Sequence, residues 1–197
     1  VYLFFFISGI LFYLILKKII NNEVFLSISS LVYLLYPYLF GHALFNSKDI
    51  PFLTCWMLCS YLSLKILEKY LIKTEVSFFH VFVVALSTAY LISIRVSGIL
   101  IFLQYFLSFL ILFNIKDKNL NLINFENFKK FIFFLISTIL MIYILFPYIW
   151  QNPLYFIDTI KHFGKFYHDV CTLTFGTCLE AKSADPLYIP MWLSVKL

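Results

Sequence analysis

Six long apolar stretches divide this chain, and they constrain its fold more than any other feature. They lie at about residues 1–16, 24–40, 52–67, 77–94, 97–114 and 131–149. A helix needs roughly 20 apolar residues to cross a hydrocarbon core of about 30 Å, and it satisfies its own backbone polar groups while doing so. The stretches therefore predict about six membrane-spanning helices, of which the first is expected to be truncated.

The composition leads to the same fold class. Hydrophobic residues make up 62% of the chain and charged residues 13%, whereas soluble domains have about 45–50% and about 25%. We therefore expect an all-α, polytopic transmembrane helical bundle. Because the chain opens at Val1 inside an apolar stretch and stops at Leu197 in an unfinished segment, we expect it to be truncated at both ends. Residues 1–149 are expected to form the helical region, and residues 150–197 an incomplete outward-facing loop region.

The distribution of basic residues predicts the orientation of these helices. Lysine and arginine are concentrated in the cytoplasmic loops of membrane proteins. Two of the intervening connections contain only Lys48 and Arg95, whereas the alternate connections contain nine basic residues: Lys17, Lys18, Lys65, Lys69, Lys73, Lys116, Lys118, Lys129 and Lys130. The lysine-rich connections are therefore expected to face the cytoplasm. The loop 41–51, the turn at Arg95 and everything after Trp150 are expected on the opposite side.

The distribution of charge bears on nucleic-acid binding, and the positions of the cysteines bear on packing and disulfide formation. The formal net charge is +5, but the lysines are spread singly and in pairs, so we expect no nucleic-acid partner. Cys55 and Cys59 fall inside an apolar stretch, where a core or lipid-facing role is expected. Cys171 and Cys178 fall in a polar stretch expected outside the cytoplasm, where they form either a disulfide or a pair of free thiols.

The segment from Tyr36 to Phe52 contains four candidate site residues with polar side chains between two apolar stretches, with a proline near each end. These side chains are His42, Asn46, Lys48 and Asp49. Gly41 permits a tight backbone there, and the four polar groups are suited to an anionic, hydrogen-bonding ligand at the membrane surface. The alternative is a solvated loop in which Lys48 reaches the interface and Asp49 caps the next helix.

Arg95 lies between two apolar stretches, where an ionisable group is costly unless it faces a partner or a cavity. Arg95 can bind a phosphate through two parallel N–H donors, and Lys48 can add a single positive charge. The alternative is that Arg95 only anchors the turn at the membrane interface.

His80 is expected to be interfacial. His162 and His168, even with Asp169 beside them, do not make a convincing set of metal ligands, so no metal site is predicted. A divalent cofactor has no support in the sequence.

Three segments resemble a known family. The run Pro37-Tyr-Leu-Phe-Gly-His-Ala-Leu-Phe-Asn-Ser-Lys-Asp-Ile-Pro51 resembles an outward-loop signature of the dolichyl-phosphate-mannose protein mannosyltransferase-like group of membrane glycosyltransferases, which have the GT-C fold. The stretch from Ala89 to Gly98 is similar to that group's helix turn with Arg and Gly. The runs 147–153 and 186–192 are similar to its later outward loop.

The resemblance implies a GT-C-like bundle that transfers a sugar from a polyprenyl- or dolichyl-phosphate carrier, with inversion, to a protein, lipid or glycan acceptor. The site is then on the non-cytoplasmic face of a plasma, inner or endoplasmic reticulum membrane. We assign Asp49 and His42 to catalysis, Lys48 and Arg95 to the donor phosphate, and Asn46 to the same site. The resemblance places the principal catalytic acid in a loop ahead of the helix with which this chain begins.

Two other classes of function remain open from the sequence. A transporter or lipid-carrier flippase would have ionisable residues well inside the helices, or broken helices at the membrane midplane. A structural membrane subunit would tolerate alanine at the polar loop positions without loss of any activity. Either protein would be embedded in a membrane, as the glycosyltransferase would be.

Overall fold

A computed structural model describes residues 1–72, 74–115, 125–163, 172–174 and 177–179; residues 112–115 and 162–163 and the last two segments are described by their backbone alone. The chain divides into two compact units, Val1–Pro153 and Leu154–Leu197. Helices dominate the described residues, which confirms the all-α prediction. The helices of the first unit are α1 Tyr2–Leu16, α2 Glu23–Leu35, α3 Pro37–Phe45, α4 Asp49–Leu71, α5 Phe78–Ile94, a 3-10 helix Val96–Leu100, α6 Ile101–Ile115, α7 Phe125–Leu145 and a 3-10 helix Pro147–Ile149.

The described part of the second unit contains one helix and one hairpin. Helix α8 spans Tyr155–Phe163, and strands β1 (Thr172–Thr174) and β2 (Thr177–Leu179) pair antiparallel. Cys178 lies opposite Leu173 in the backbone register. The hairpin was not predicted, since the whole of 150–197 was expected to be a loop region.

The proline at position 37 changes the second apolar stretch from one helix into two. Pro37 is the first residue of α3, where its missing N–H is harmless, and it forces the preceding Tyr36 into an extended conformation. Helices α2 and α3 therefore meet at a bend of 50°. The loop expected at 41–51 is shorter than predicted, because α3 continues to Phe45 and α4 begins at Asp49.

Two of the described helices, α4 and α7, are long and apolar enough to cross a membrane, and α2 with α3 makes a third if the bent pair counts as one span. Helices α1 and α5 and the segment Val96–Ile111 are apolar but shorter. Many large apolar side chains point outward from the bundle, among them Leu3, Ile139 and Phe79. This surface suits a lipid environment; six complete spans stay a prediction.

Helix α4 is the centre of the first unit, and its contacts show how the neighbouring helices run. It packs against α1, α3, α5 and α6, while α5 packs most extensively against α7. Near the start of α4, Thr54 Oγ1 donates to the Phe4 carbonyl of α1 at 2.9 Å. Near its end, Lys18 forms an ion pair with Glu68. Helices α1 and α4 are therefore parallel.

Helices α5 and α7 start at the end of the bundle where α4 ends. Lys69, near the end of α4, lies 3.0 Å from His80 at the start of α5. Tyr70 donates to Asn127 at the start of α7. Lys18, Lys69 and the starts of α5 and α7 therefore lie at one end of the bundle, and the Asp49 end of α4 lies at the other.

Two small apolar cores hold this arrangement. One contains Cys55, Cys59, Leu91 and Ile101 and joins α4, α5 and α6, which confirms the core alternative for the two cysteines. The other contains Phe5, Ala43 and Ile50 and joins α1, α3 and α4. The second core lies directly beneath the polar connection between α3 and α4, and so it fixes the position of the candidate site.

Candidate functional site

Asn46 is the centre of a polar network in the connection between α3 and α4. Its side-chain oxygen accepts the backbone N–H groups of Lys48 and Asp49 at 3.2 and 2.9 Å. Its amide nitrogen donates to Asp49 Oδ2 at 2.7 Å and lies 2.9 Å from His42 Nδ1. Both donor hydrogens and the acceptor oxygen of one amide are therefore in use.

These contacts favour one tautomer of the His42 ring. The two backbone N–H groups can bond only to the amide oxygen, so the amide cannot be flipped without losing them. The amide nitrogen can only donate, and His42 Nδ1 must therefore accept. The ring proton is then on Nε2, which leaves His42 as a donor at its outer nitrogen.

Asp49 and Arg95 join two distant parts of the chain. Arg95 Nη1 lies 2.6 Å from Asp49 Oδ1, with both side chains a little under half exposed. Oδ1 itself is enclosed and has no hydrogen-bond donor among the described residues, so the contact is an ion pair without hydrogen-bond geometry. Since Oδ2 is held by Asn46, each oxygen of the carboxylate has a different polar neighbour.

The backbone after α5 determines where Arg95 lies. Arg95 is extended (φ −147°, ψ 131°), donates its N–H to Leu91 at 3.3 Å and accepts from Gly98 at 2.8 Å. A Cβ at Gly98 would be 3.0 Å from the Leu91 backbone carbonyl. The glycine therefore permits the close turn that brings Arg95 to the start of α4.

Lys48 and Gly41 behave differently from the sequence expectation. The Lys48 side chain is exposed, and in the described part of the chain its ammonium has no ion-pair partner; its convergence with Arg95 on one phosphate stays a prediction. Gly41 lies inside α3 with open space around the position of a Cβ, so no tight backbone requires it. Asp49 does not cap α4, because it is the first residue of the helix and Lys48 occupies the N-cap position without a side-chain cap hydrogen bond.

Aromatic rings border the network on the α3 side. The His42 ring lies 4.4 Å from the Tyr38 ring and 5.3 Å from the Phe45 ring, measured between centroids. Both aromatic residues are substantially exposed. The network therefore combines a carboxylate, an amide, an imidazole and a guanidinium with a hydrophobic border at one end of the bundle.

The remaining predicted residues lie away from this network or outside the described residues. His80 bonds Ser77 and Lys69 at the lysine-rich end. Cys171, His168 and Asp169 lie outside the described residues, and Cys178 and His162 are described by their backbone alone. In the described ranges, no three His, Cys, Asp or Glu side chains are grouped as metal ligands would be.

The sequence analysis did not predict a set of hydrogen-bonded polar side chains inside the bundle. Trp56 Nε1 donates to Gln104 Oε1 at 2.8 Å, and Gln104 Nε2 donates to Ser60 Oγ at 2.8 Å. Thr88 and Tyr105 share a further hydrogen bond of 2.9 Å. A signal was present, because an amide such as Gln104 inside an apolar stretch needs partners in the interior.

Comparison with known proteins adds no relative. No family model matches the chain, and no significant match is found among curated proteins or solved structures. The resemblance to the mannosyltransferase-like group therefore rests on the sequence motifs around Asp49 and Arg95.

Proposed function

We propose that the chain belongs to a polytopic membrane glycosyltransferase of the GT-C type, which transfers a sugar from a polyprenyl-phosphate carrier to an acceptor on the non-cytoplasmic face. The observation that carries this proposal is the contact between Asp49 and Arg95. These residues belong to two separate sequence motifs that resemble the same enzyme group. Their contact, with His42 and Asn46 adjoining, is what a shared site requires.

The groups present suit the chemistry of such a transfer. The acceptor hydroxyl oxygen attacks the anomeric carbon and forms a new C–O bond, while the old bond to the phosphate breaks and its electron pair stays on the phosphate oxygen. The hydroxyl proton goes to a carboxylate at the site. Arg95 stabilises the charge on the departing phosphate, and Asp49 is the carboxylate at the site.

The layout of charge supports the proposed sidedness. The Asp49–Arg95 pair and the Lys18–Glu68 pair lie at opposite ends of α4. Lys18 and Lys69 lie at the Glu68 end, which the positive-inside rule assigns to the cytoplasm. The site is then at the opposite membrane surface, where the phosphate of a lipid carrier resides.

A transporter or lipid-carrier flippase is the second candidate, and the 50° break between α2 and α3 favours it. Broken helices form substrate sites in many transporters, although there the break is near the membrane midplane. The polar network lies at the end of α4 rather than halfway along it. This position favours chemistry at the surface over passage through the bundle.

Proteoliposomes that contain the full-length protein distinguish the two functions. The bilayer contains dolichyl-phosphate mannose with a radioactive sugar, and candidate acceptors are added outside the vesicles. Transfer is measured as radioactive label on these acceptors. We expect label on an acceptor, with a loss of about ten- to a hundred-fold in Arg95→Ala, since a charge-assisted contact contributes roughly 1.5–3 kcal/mol. Lys17→Ala, which removes a cation at the opposite end, is the matched control.

Two results would contradict the proposal. Label that stays on its carrier and only changes leaflet would identify a flippase. Transfer at the unmodified rate in both Arg95→Ala and Asp49→Asn would mean that the network has only a structural role.

A further inference from the structure

The Asp49 carboxylate lies where an anionic ligand of Arg95 would bind. Arg95 Nη1 and Asp49 Oδ1 are 2.6 Å apart, yet Oδ1 accepts no hydrogen bond from the described residues. A guanidinium has five N–H donors in a planar fork, which fits the oxygens of a phosphate. Among the described residues, the contact with Asp49 therefore leaves much of the binding capacity of Arg95 unused.

We propose that Asp49 is a resident counter-ion of Arg95, and that the phosphate of a prenyl-phosphate lipid displaces it on binding. This inference rests on the proposed function, because that function supplies the class of ligand. It goes further by assigning two states to Asp49. The carboxylate is paired with Arg95 before the donor binds and released afterwards.

The surroundings of the pair allow such an exchange. The side chains of Asp49 and Arg95 are 45% and 42% exposed, although Oδ1 itself is enclosed, so a ligand can approach the guanidinium from outside. Ion pairs with this exposure contribute little to stability, and separating them costs correspondingly little. Asn46 holds Oδ2 through its own hydrogen bond, so the carboxylate keeps a partner when Arg95 turns to the phosphate.

The exchange has a consequence for the order of binding. Once the phosphate neutralises Arg95, Asp49 Oδ1 is an acceptor with no partner, beside the network that contains His42. A hydroxyl that arrives next finds a carboxylate able to take its proton. Without the phosphate, the same oxygen lies against the Arg95 guanidinium and is not available to a hydroxyl. The donor is therefore expected to bind before the acceptor.

Binding of farnesyl phosphate to the purified full-length protein in neutral detergent tests this exchange. Isothermal titration calorimetry is used, with farnesol and inorganic phosphate as separate arms for the lipid tail and the free anion. We expect Asp49→Asn to bind farnesyl phosphate about fivefold more tightly, the size of effect that removal of a half-exposed competing ion pair predicts. Arg95→Ala should bind it at least tenfold more weakly.

Glu68→Gln is the matched control. It also removes one carboxylate from an ion pair, has similar exposure (42%) and lies at the other end of α4. Its affinity for farnesyl phosphate should equal that of the unmodified protein. Asp49→Glu, which keeps the charge, should show no gain in affinity, and circular dichroism should show that each variant remains helical.

The possible failures can be told apart. If the unmodified protein binds farnesyl phosphate but Asp49→Asn binds it equally or more weakly, the exchange is wrong while the proposed function stands. A gain that also occurs in Glu68→Gln would reflect net charge alone and would overturn the exchange too. If neither protein binds farnesyl phosphate better than farnesol, both the exchange and the proposed function fail.

Discussion

The Trp56 indole nitrogen donates a hydrogen bond of 2.8 Å to the side-chain oxygen of Gln104, which joins α4 to α6 inside the bundle. The Gln104 amide in turn donates to Ser60 on α4. Gln104→Leu leaves the Trp56 donor without this partner. We expect a loss of roughly 0.6–2 kcal/mol in the free energy of unfolding, the range for hydrogen bonds between helices in membranes. Unfolding in mixed micelles, followed by circular dichroism, measures it.

Leu103→Ala is the control for this prediction, because Leu103 is the neighbouring residue on α6 and is exposed. Its effect should be smaller. An unchanged unfolding free energy in Gln104→Leu would show that the hydrogen bonds contribute nothing net.

Asn46 combines a structural role with a chemical one, and two substitutions separate them. Asn46→Ala removes the acceptor for the N–H groups of Lys48 and Asp49, and we expect a cost of about 0.5–1.5 kcal/mol in folding free energy, as for the loss of an intramolecular hydrogen bond. Asn46→Asp keeps the acceptor but removes the donor to Asp49. It should be less stable than the alanine variant, because its second carboxylate oxygen lies against the Asp49 carboxylate, where the amide nitrogen donated at 2.7 Å. Thermal unfolding of both variants checks the order, and the reverse order would contradict it.

The ring state of His42 can be observed directly. Since Asn46 donates to Nδ1, we expect the tautomer with its proton on Nε2. Nitrogen-15 NMR of histidine-labelled protein at alkaline pH distinguishes the two tautomers of the neutral ring. In Asn46→Ala the preference should weaken. A ring with its proton on Nδ1 in the unmodified protein would contradict the orientation assigned to the Asn46 amide.

Two glycines provide a matched pair of substitutions. A methyl group at Gly98 would meet the Leu91 backbone at 3.0 Å, whereas one at Gly41 meets nothing within 4 Å. Gly98→Ala should therefore destabilise the fold by about 1–3 kcal/mol, as overpacking does. Gly41→Ala should be neutral, or stabilise α3 by up to about 1 kcal/mol. Unfolding free energies measure both, and equal effects would show that the turn after Arg95 can relax.

The orientation predicts which positions react from outside. In a background without native cysteines, Ser47→Cys and Asn21→Cys both place a thiol at an exposed position, on opposite ends of the bundle. An impermeant maleimide applied to intact cells should label position 47 and leave position 21 unlabelled until the membrane is opened. The reverse pattern would invert the topology and move the proposed site to the cytoplasm.

The sequence predicted the helices well because their cause is local. Each apolar stretch supplies its own backbone hydrogen bonds, and Pro37 and Pro51 mark helix starts through the geometry of their rings. The sequence also identified the residues of the candidate site. It did not predict that α3 extends through Gly41, since a polar segment between prolines resembles a loop in composition.

The partnerships within the site could not be predicted in the same way. Asp49 and Arg95 are 2.6 Å apart only because α4 and α5 pack antiparallel with a particular register, which is a property of the assembled bundle. The contacts of Asn46 depend on one amide orientation. The pairing of Trp56 with Gln104 depends on the rotation of α6 about its axis. Periodicity in the sequence specifies none of these.

The ion pairs at the two ends of α4 also set a length. From Asp49, paired with Arg95, to Glu68, paired with Lys18, the helix rises about 29 Å at about 1.5 Å per residue. This matches a hydrocarbon thickness of about 30 Å. In a thinner or thicker bilayer, one pair would be drawn into hydrocarbon or the helix would tilt. The thickness of a membrane spanned by α4 would therefore decide whether Asp49 lies at the interface or in hydrocarbon.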